Sequence, residues 1–190
     1  MSVGTLETRL RELNLDDLER GSIELDNLLV EMLRQIGSTD PVLRDELIYQ
    51  TFCNLVMSDV LRDEQMIAIM TTCLDEEHLF LRIGEGEGDA VFKRSFSVLV
   101  VALLVHKDRQ APFLSRELFE RAMESVLRYL KEEKDIRGYV NGKGWAHSIA
   151  HGADALDEVI RNPAFKLELL DRCLESIQVC LLKEGVYSDD

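Results

Sequence analysis

The chain has 190 residues, of which 46% are hydrophobic and 31% are charged, a balance that is typical of a folded protein with one substantial core. This composition excludes a disordered chain, because enough apolar surface is present to offset the entropy lost on folding. The formal net charge of −14 repels phosphate backbones and anionic lipid, so we expect neither a nucleic acid nor a membrane as partner.

The N-terminal part of the chain repeats its apolar residues with the period of a helix. The first long helix is predicted to start after Ser22, a candidate N-cap, and to stop at Gly37. The next begins where Asp40 can cap it and Pro41 suits its first turn. A further helix is predicted over 62–78, before the loop IGEGEGD.

The C-terminal part continues the helical pattern. The segment 90–106 is apolar on nearly all sides, which predicts a helix at the centre of the fold. Its apolar run is shorter than the roughly 20 residues that a membrane-spanning helix needs. Further helices are predicted from Ser115, over about 145–161 and over about 163–183. Because no alternating β-branched run is bounded by turn signals, no strand is predicted and the fold class is all-α. The chain turns charged at its start without a signal-peptide core, so the cytoplasm is the expected location.

The connections between the predicted helices are short, so neighbouring helices should form antiparallel hairpins. Helix pairs recur at about 22–58, 62–106 and 114–160. This interval is typical of HEAT-like stacked antiparallel helical hairpins, which wind into a right-handed superhelix. Self-similarity between the pairs is weak, and a compact helical bundle is the alternative. In both cases we predict a single α-helical domain over 1–190.

The main functional question concerns the segment WAHSIAHGAD. In a continuous helix His147, His151 and Asp154 share one polar stripe, while Trp145 lies on the opposite, buried face. Two histidines one turn apart can chelate a metal ion that a carboxylate completes, so one divalent metal is a candidate cofactor. Ser148 stands where metalloproteases of this spacing carry glutamate, which removes the usual general base. The alternatives are a site without metal, in which the small neighbouring residues admit a ligand, and an ordinary solvated helix face.

Charged residues near this segment could complete a site. If helical hairpins stack, equivalent faces line one concave surface, and Arg44, Arg94 and Arg137 could approach the histidines there. Each arginine could instead belong to an ordinary ion pair at a helix end. In a hydrolytic site, Asp135 or Glu85 would be the candidate general base.

Three blocks of the sequence resemble the uncharacterised bacterial family called domain of unknown function 2785. They are STDPVLRDELIYQTF, IGEGEGDAVFKRSFSVLVVALL and YLKEEKDIRGYVNGKGWAHSIAHGADALDEVIRNP, which together run over about 40–163. The resemblance implies an all-helical cytoplasmic protein and supplies no activity, substrate or cofactor. The family's motif positions fall on Arg44, Asp45, Glu85, Arg94, Ser95, Phe96, Asp135, Arg137, Gly138, Gly144, Trp145, His147, His151 and Asp154.

Two functional hypotheses follow. The first is a binding or interaction module that holds a small polar ligand or a peptide segment on a concave surface of His, Arg and Asp side chains. Its predicted ligand-binding residues are Arg44, Asp45, Glu85, Arg94, Asp135, Arg137, Trp145, His147, His151 and Asp154. The second is a divalent-metal-dependent hydrolase with His147, His151 and Asp154 as metal ligands. Because no nucleophile motif occurs, the sequence identifies no catalytic residue, and it determines neither the ligand nor the oligomeric state.

Overall fold

The structure, a computed structural model, describes residues 5–14, 18, 23–58 and 60–183, and it is mostly helical as predicted. The predicted N-cap Ser22 lies outside the described residues. The elements in chain order are α1 (Leu6–Arg11), α2 (Ile23–Gln35), a π-helical segment (Val42–Tyr49) that continues as α3 (Gln50–Met57), α4 (Asp63–Cys73), α5 (Ala90–Gln110), α6 (Arg116–Glu132), β1 (Tyr139–Val140), β2 (Gly144–Trp145), α7 (Ser148–Arg161), a 3-10 helix (Leu167–Leu169) and α8 (Leu170–Leu181).

The centre of the molecule is α5, which confirms its predicted position. Val98, Val101 and Leu104 are fully buried, and α5 contacts α3, α4, α6 and, most extensively, α7. The larger of two hydrophobic clusters in the described residues extends from Leu6 in α1 to Cys173 in α8. Within the described parts of the chain, no helix combines the length and the apolar character that crossing a bilayer requires.

The helices fit a compact bundle, and a HEAT-like superhelix is not confirmed. In the bundle α5 is shared by helices from both halves of the chain, so one helix supplies much of the common core. That all 190 residues form a single domain stays a prediction.

Close packing of α7 on α6 depends on Gly152. A Cβ atom at this position would lie 2.6 Å from Leu130 Cδ2 and 3.1 Å from Tyr129 Cε1. The Tyr129 hydroxyl donates a hydrogen bond of 3.0 Å to the Ser148 carbonyl, which fixes the start of α7. At this position the small residue therefore serves helix packing and does not open a path for a ligand.

The prediction that the chain has no strand is wrong between α6 and α7. There β1 and β2 pair antiparallel, with Tyr139 opposite Trp145 and Val140 opposite Gly144. The turn adopts left-handed backbone angles, with φ of 72° at Gly142 and 79° at Gly144. Each strand has only two residues, too short for an alternating pattern to show. As a result α7 begins three residues later than predicted, at Ser148.

Candidate binding site

The β-hairpin of β1 and β2 lies against the start of the π-helical segment. The closest approach is at Gly144, where a Cβ atom would lie 2.8 Å from Pro41 Cβ and 3.2 Å from Arg44 Nη2. Gly144 also has a positive φ of 79°, so both the space and the backbone conformation require glycine. Close contact between hairpin and helix therefore determines where Trp145 and the residues after it lie.

The side chain of Arg44 joins the hairpin to the rest of the protein. It is fully buried, and it donates hydrogen bonds to the carbonyls of Lys143 (3.0 Å), Trp145 (3.4 Å) and Ser38 (2.7 Å). Its Nε lies 2.7 Å from Asp45 Oδ1, although the angle is too poor for a hydrogen bond between these two atoms. The guanidinium of Arg44 is therefore engaged by other groups of the protein and is not free to bind a ligand.

Two phenylalanines support this guanidinium from α5. The Arg44 Cζ lies 4.4 Å from the ring centroid of Phe92 and 4.8 Å from that of Phe96. Cation–π contacts of this kind gain strength when the cation is removed from water. The two rings therefore help to stabilise the buried charge of Arg44, whose Nε has no hydrogen-bond partner among the described residues.

The other two predicted arginines also bind acidic groups of the protein. Arg94 and Glu133 are both buried and form a bidentate ion pair, with N–O distances of 2.6 and 2.7 Å. The guanidinium of Arg137 donates two hydrogen bonds to the buried carboxyl of Asp135, which also accepts one from the Gly88 amide. Neither arginine thus supplies a free cation to a ligand.

The two candidate general bases, Glu85 and Asp135, also pair with arginines of the protein. Glu85 lies on an exposed loop, where hydrogen bonding to Arg82 lowers the pKa of its carboxyl. Asp135 is buried beneath Arg137. In the described residues neither carboxyl forms a hydrogen bond or an ion pair with His147 or His151.

Three rings form what we call the aromatic surface: those of the exposed Tyr139 and Trp145 and that of the half-buried His147. The rings of Trp145 and His147 stack with centroids 4.4 Å apart and planes at 7°. Tyr139 meets Trp145 edge to face across the hairpin, at 5.2 Å and 76°. Trp145 is 42% exposed and Tyr139 is 40% exposed, so the prediction of a buried tryptophan is wrong. The reason is that Trp145 lies in β2 and not on α7.

The backbone of His147 has an unusual conformation. Its φ of 49° and ψ of 31° lie in the left-handed region, which non-glycine residues rarely adopt. His147 therefore precedes α7, and the continuous helical stripe predicted through both histidines is wrong at this residue. The two imidazoles nevertheless lie close together, with centroids 5.7 Å apart. Strain of this kind costs of order 1–3 kcal/mol and is found mostly at functional sites.

His151 lies behind the aromatic surface and is held by α5. Its Nδ1 lies 3.2 Å from the Ser95 carbonyl, which can only accept, so Nδ1 carries the proton and Nε2 is left as an acceptor. In the described residues Nε2 has no hydrogen-bond partner. Burial lowers the pKa of His151 to about 4, and the charge of His147 acts in the same direction. His151 is therefore a neutral imidazole at pH 7.

Two carboxyls lie within electrostatic reach of His147. Burial raises the pKa of Asp45, against the opposing charge of Arg44, and it also raises the pKa of Asp154. A smaller effect of the His147 charge lowers the pKa of both carboxyls. Asp45 is half-buried and Asp154 is exposed. One acidic group of the π-helical segment and one of α7 therefore interact electrostatically with His147.

The structure thus separates the ten predicted ligand-binding residues into two sets. The first set contains Trp145, His147 and the adjacent His151, the carboxyls of Asp45 and Asp154 within electrostatic reach of His147, and Arg44 buried beneath the hairpin. Arg94, Asp135 and Arg137 are bound in internal ion pairs, and Glu85 is on the exposed loop. That any of these residues binds a ligand stays a prediction.

The described residues contain no group of three or more His, Cys, Asp and Glu side chains that could hold a metal ion. His147, His151 and Asp154 are therefore not gathered into the predicted ligand set. The left-handed residue before α7 turns His147 onto Trp145, and the Ser95 carbonyl occupies Nδ1 of His151. The positions of these three side chains therefore do not support the hypothesis of a metal site.

Sequence reasoning missed Tyr139 as a member of the site. The available signal was Asn141-Gly142, a dipeptide typical of tight β-hairpin turns, between Tyr139 and Trp145. A hairpin around this turn makes the two aromatic residues cross-strand partners on one face.

We expect acid to destabilise the protein through His151. Because its pKa is lowered in the folded state, the unfolded chain binds more protons between pH 6.5 and 4, and stability is lost as the pH falls through this range. Relative to a His151→Asn variant, the wild type should lose about 2 kcal/mol more of its unfolding free energy between pH 6.5 and 4. Urea denaturation at several pH values measures this difference, and the carboxyls common to both proteins largely cancel. Parallel pH profiles for the two proteins would contradict a half-buried His151 that is neutral in the folded state.

The sequence profile of a family described as "Protein of unknown function (DUF2785)" matches residues 79–190. The matched region contains α5, the hairpin and α7, and therefore the whole aromatic surface, whereas the N-terminal block of the predicted resemblance lies outside it. No significant match was found among curated proteins or among solved structures. Since the match covers more than half of the chain, the chain belongs to this family of unknown function.

Proposed function

We propose that the protein is a binding module that holds a positively charged group of a small ligand or a peptide segment on the aromatic surface. The observation that carries this proposal is the stack of the exposed Trp145 ring on the half-buried His147 ring. A cation above the face of an exposed tryptophan is attracted by the ring quadrupole, and tryptophan is the side chain best suited to this contact.

The charge of the surroundings favours a cation over an anion. The three arginines that could have bound an anionic ligand are engaged by Asp45, Glu133 and Asp135. The carboxyls of Asp45 and Asp154 lie within electrostatic reach of His147, and the chain carries a net charge of −14. The negative electrostatic potential of these groups attracts cationic ligands and repels anionic ones.

His151 adds a hydrogen-bond acceptor to the proposed site. Its imidazole is neutral, and the proton on Nδ1 is committed to the Ser95 carbonyl. The lone pair of Nε2 can therefore accept a hydrogen bond from an ammonium or guanidinium group. Acceptors, ring faces and carboxylates are the groups that recognise organic cations.

Two rare backbone conformations support a functional role for this region. The π-helical segment supplies Asp45, and π-helical geometry is rare and frequently found at functional sites. The left-handed backbone of His147 brings its ring onto Trp145. Both conformations are less favourable than an ordinary helix, and both lie at the edge of the same aromatic surface.

We also propose that the helical hairpins are stacked in a HEAT-like arrangement. In support, helices two apart in the chain pack on one another, namely α3 on α5, α5 on α7 and α6 on α8. Such packing is typical of hairpins stacked in a row, and it would extend the aromatic surface into a longer face for a peptide.

Titration with capped amino acids tests the proposal. Trp145 is the only tryptophan, so its fluorescence reports on the aromatic surface directly. We expect acetyl-arginine amide and acetyl-trimethyllysine amide to change the emission saturably, whereas acetyl-glutamate amide has no effect. Asp154→Asn should weaken binding of the cationic probes about tenfold, because one carboxylate near the site is lost.

A matched control removes a carboxyl far from the site. Asp63→Asn, at the exposed start of α4, should leave the affinity unchanged. Calorimetry with Trp145→Leu should show no binding, although the variant remains folded. The proposal fails if the cationic and anionic probes act alike, or if Asp154→Asn and Asp63→Asn have the same affinity.

A further inference from the structure

A row of exposed apolar side chains runs along α8 and the 3-10 helix before it. At its two ends Leu167 is 80% exposed and Leu181 is 79% exposed. The spacing between successive members is three, four, three and four residues, which is the spacing of the contact face of a coiled coil. We call this row the leucine seam; its members are Leu167, Leu170, Leu174, Ile177 and Leu181.

A different face of α8, adjoining the leucine seam, packs on the rest of the protein. Cys173 and Ser176 are buried there, and α8 contacts α6. The Cys180 sulfur and the Lys183 ammonium both reach the Leu130 carbonyl near the end of α6. Because α8 is docked through this other face, the leucine seam is left free of the protein's own core in the described residues.

We infer that the leucine seam binds the leucine seam of a second copy of this chain, in an antiparallel, two-fold symmetric dimer. The five side chains expose on the order of 500 Å² per copy, so a pair would bury about 1,000 Å² in total, near the lower limit of specific interfaces. A two-fold axis near Leu174 pairs the two ends of the seam, Leu167 of one copy with Leu181 of the other.

Charges at the two ends of the seam determine the orientation. Glu168 and Asp171 are exposed at its N-terminal end, and the described residues include no ion-pair partner for either. Lys134 is exposed beside the C-terminal end, where it lines a cavity with Leu182 and Lys183, and it too has no ion-pair partner among the described residues. An antiparallel dimer brings the acidic end of one copy toward the lysine end of the other.

The same charges disfavour other occupants. A parallel pair would place Glu168 and Asp171 against the same two residues of the second copy, which like-charge repulsion opposes. Anionic lipid would be repelled by these carboxylates and by the net charge of −14. The interface inferred here shares no residue with the aromatic surface and does not depend on the proposed binding function.

Sedimentation equilibrium of the full chain tests the inference. The wild type should approach twice the 21.7 kDa of one chain at micromolar concentrations. Leu174→Glu places a charge at the centre of the seam in both copies and should raise the dimer dissociation constant about 100-fold. Its helical circular dichroism should equal that of the wild type at the same dilution. If this variant does not fold, a double change of Leu167→Ser and Leu181→Ser tests the seam from its two ends.

Charge reversal tests the orientation. Lys134→Glu should weaken the dimer about tenfold, and addition of Glu168→Lys and Asp171→Lys should restore it. A wild type that keeps the mass of one chain at 200 µM (about 100-fold above the expected working range) would overturn the inference, whether or not it binds lipid vesicles. A dimer that tolerates Leu174→Glu, or that is insensitive to the charge reversals, would overturn it equally.

Discussion

Replacing Glu133 with glutamine should lower the free energy of unfolding by about 3–5 kcal/mol, the usual cost of breaking a buried ion pair from one side. Glu133 is fully buried, and both of its oxygens accept hydrogen bonds from Arg94. One oxygen also accepts the backbone amide of Asp135. Without the carboxylate the guanidinium of Arg94 stays buried and loses its counter-charge. Urea denaturation at pH 7 measures the loss.

Two further variants separate this effect from a general sensitivity of the region. The double variant Arg94→Met with Glu133→Leu should cost less than Glu133→Gln alone, because it removes both charges and leaves none unpaired. Glu132→Gln, one residue away, removes an exposed carboxyl that pairs with Arg128, and it should change stability by less than about 1 kcal/mol. Equal losses for Glu133→Gln and Glu132→Gln would show that the buried pair does not stabilise the fold.

Arg44→Met should cost about 3 kcal/mol and should also change the environment of Trp145 before the protein unfolds. The substitution leaves the carbonyls of Lys143 and Trp145 without their donor, and it leaves Asp45 without its counter-ion. The hairpin therefore loses its main polar link to the π-helical segment. Urea denaturation gives the stability, and the emission maximum of Trp145 in native buffer gives the second effect.

The matched control for this variant is Arg161→Met. Arg161 is half-exposed and pairs with Asp157 on the same helix, so its removal should change stability by less than about 1 kcal/mol and should leave the tryptophan emission unchanged. If Arg44→Met unfolds at the same urea concentration as the wild type, or keeps its native emission, the hairpin is held by other contacts.

The helices could be predicted from the sequence because their signals are local. Asp40 accepts the amide of Val42 at 2.9 Å, as expected of a residue that caps a helix, and α5 is the buried centre that its apolar composition indicates. Each of these features depends on neighbours within one or two turns. A single sequence contains all the information that such features need.

The arginines show what the sequence could not determine. Arg94 and Glu133 are 39 positions apart, and nothing in the sequence around either residue points to the other. The prediction therefore left Arg94 as a cation available to a ligand, whereas the fold uses it for an internal pair. Pairing over such distances depends on how α5 and α6 pack, which periodicity does not specify.

The histidines were predicted to be neighbours for a reason that the structure corrects. His147 and His151 do lie close together, but a left-handed residue and a two-stranded hairpin bring them there in place of one helical turn. The short hairpin could have been suspected from Asn141-Gly142, whereas the positive φ of His147 leaves no mark in the sequence.

The way in which Arg44 holds the hairpin has a consequence for the evolution of the site. Its guanidinium donates hydrogen bonds to the main-chain carbonyls of Lys143 and Trp145. Every amino acid provides such a carbonyl, whatever its side chain. Side chains at the tip and on the outer face of the hairpin can therefore be exchanged while the loop keeps its place. If the aromatic surface binds the proposed ligand, its preference can change one substitution at a time while the backbone of the hairpin stays in place.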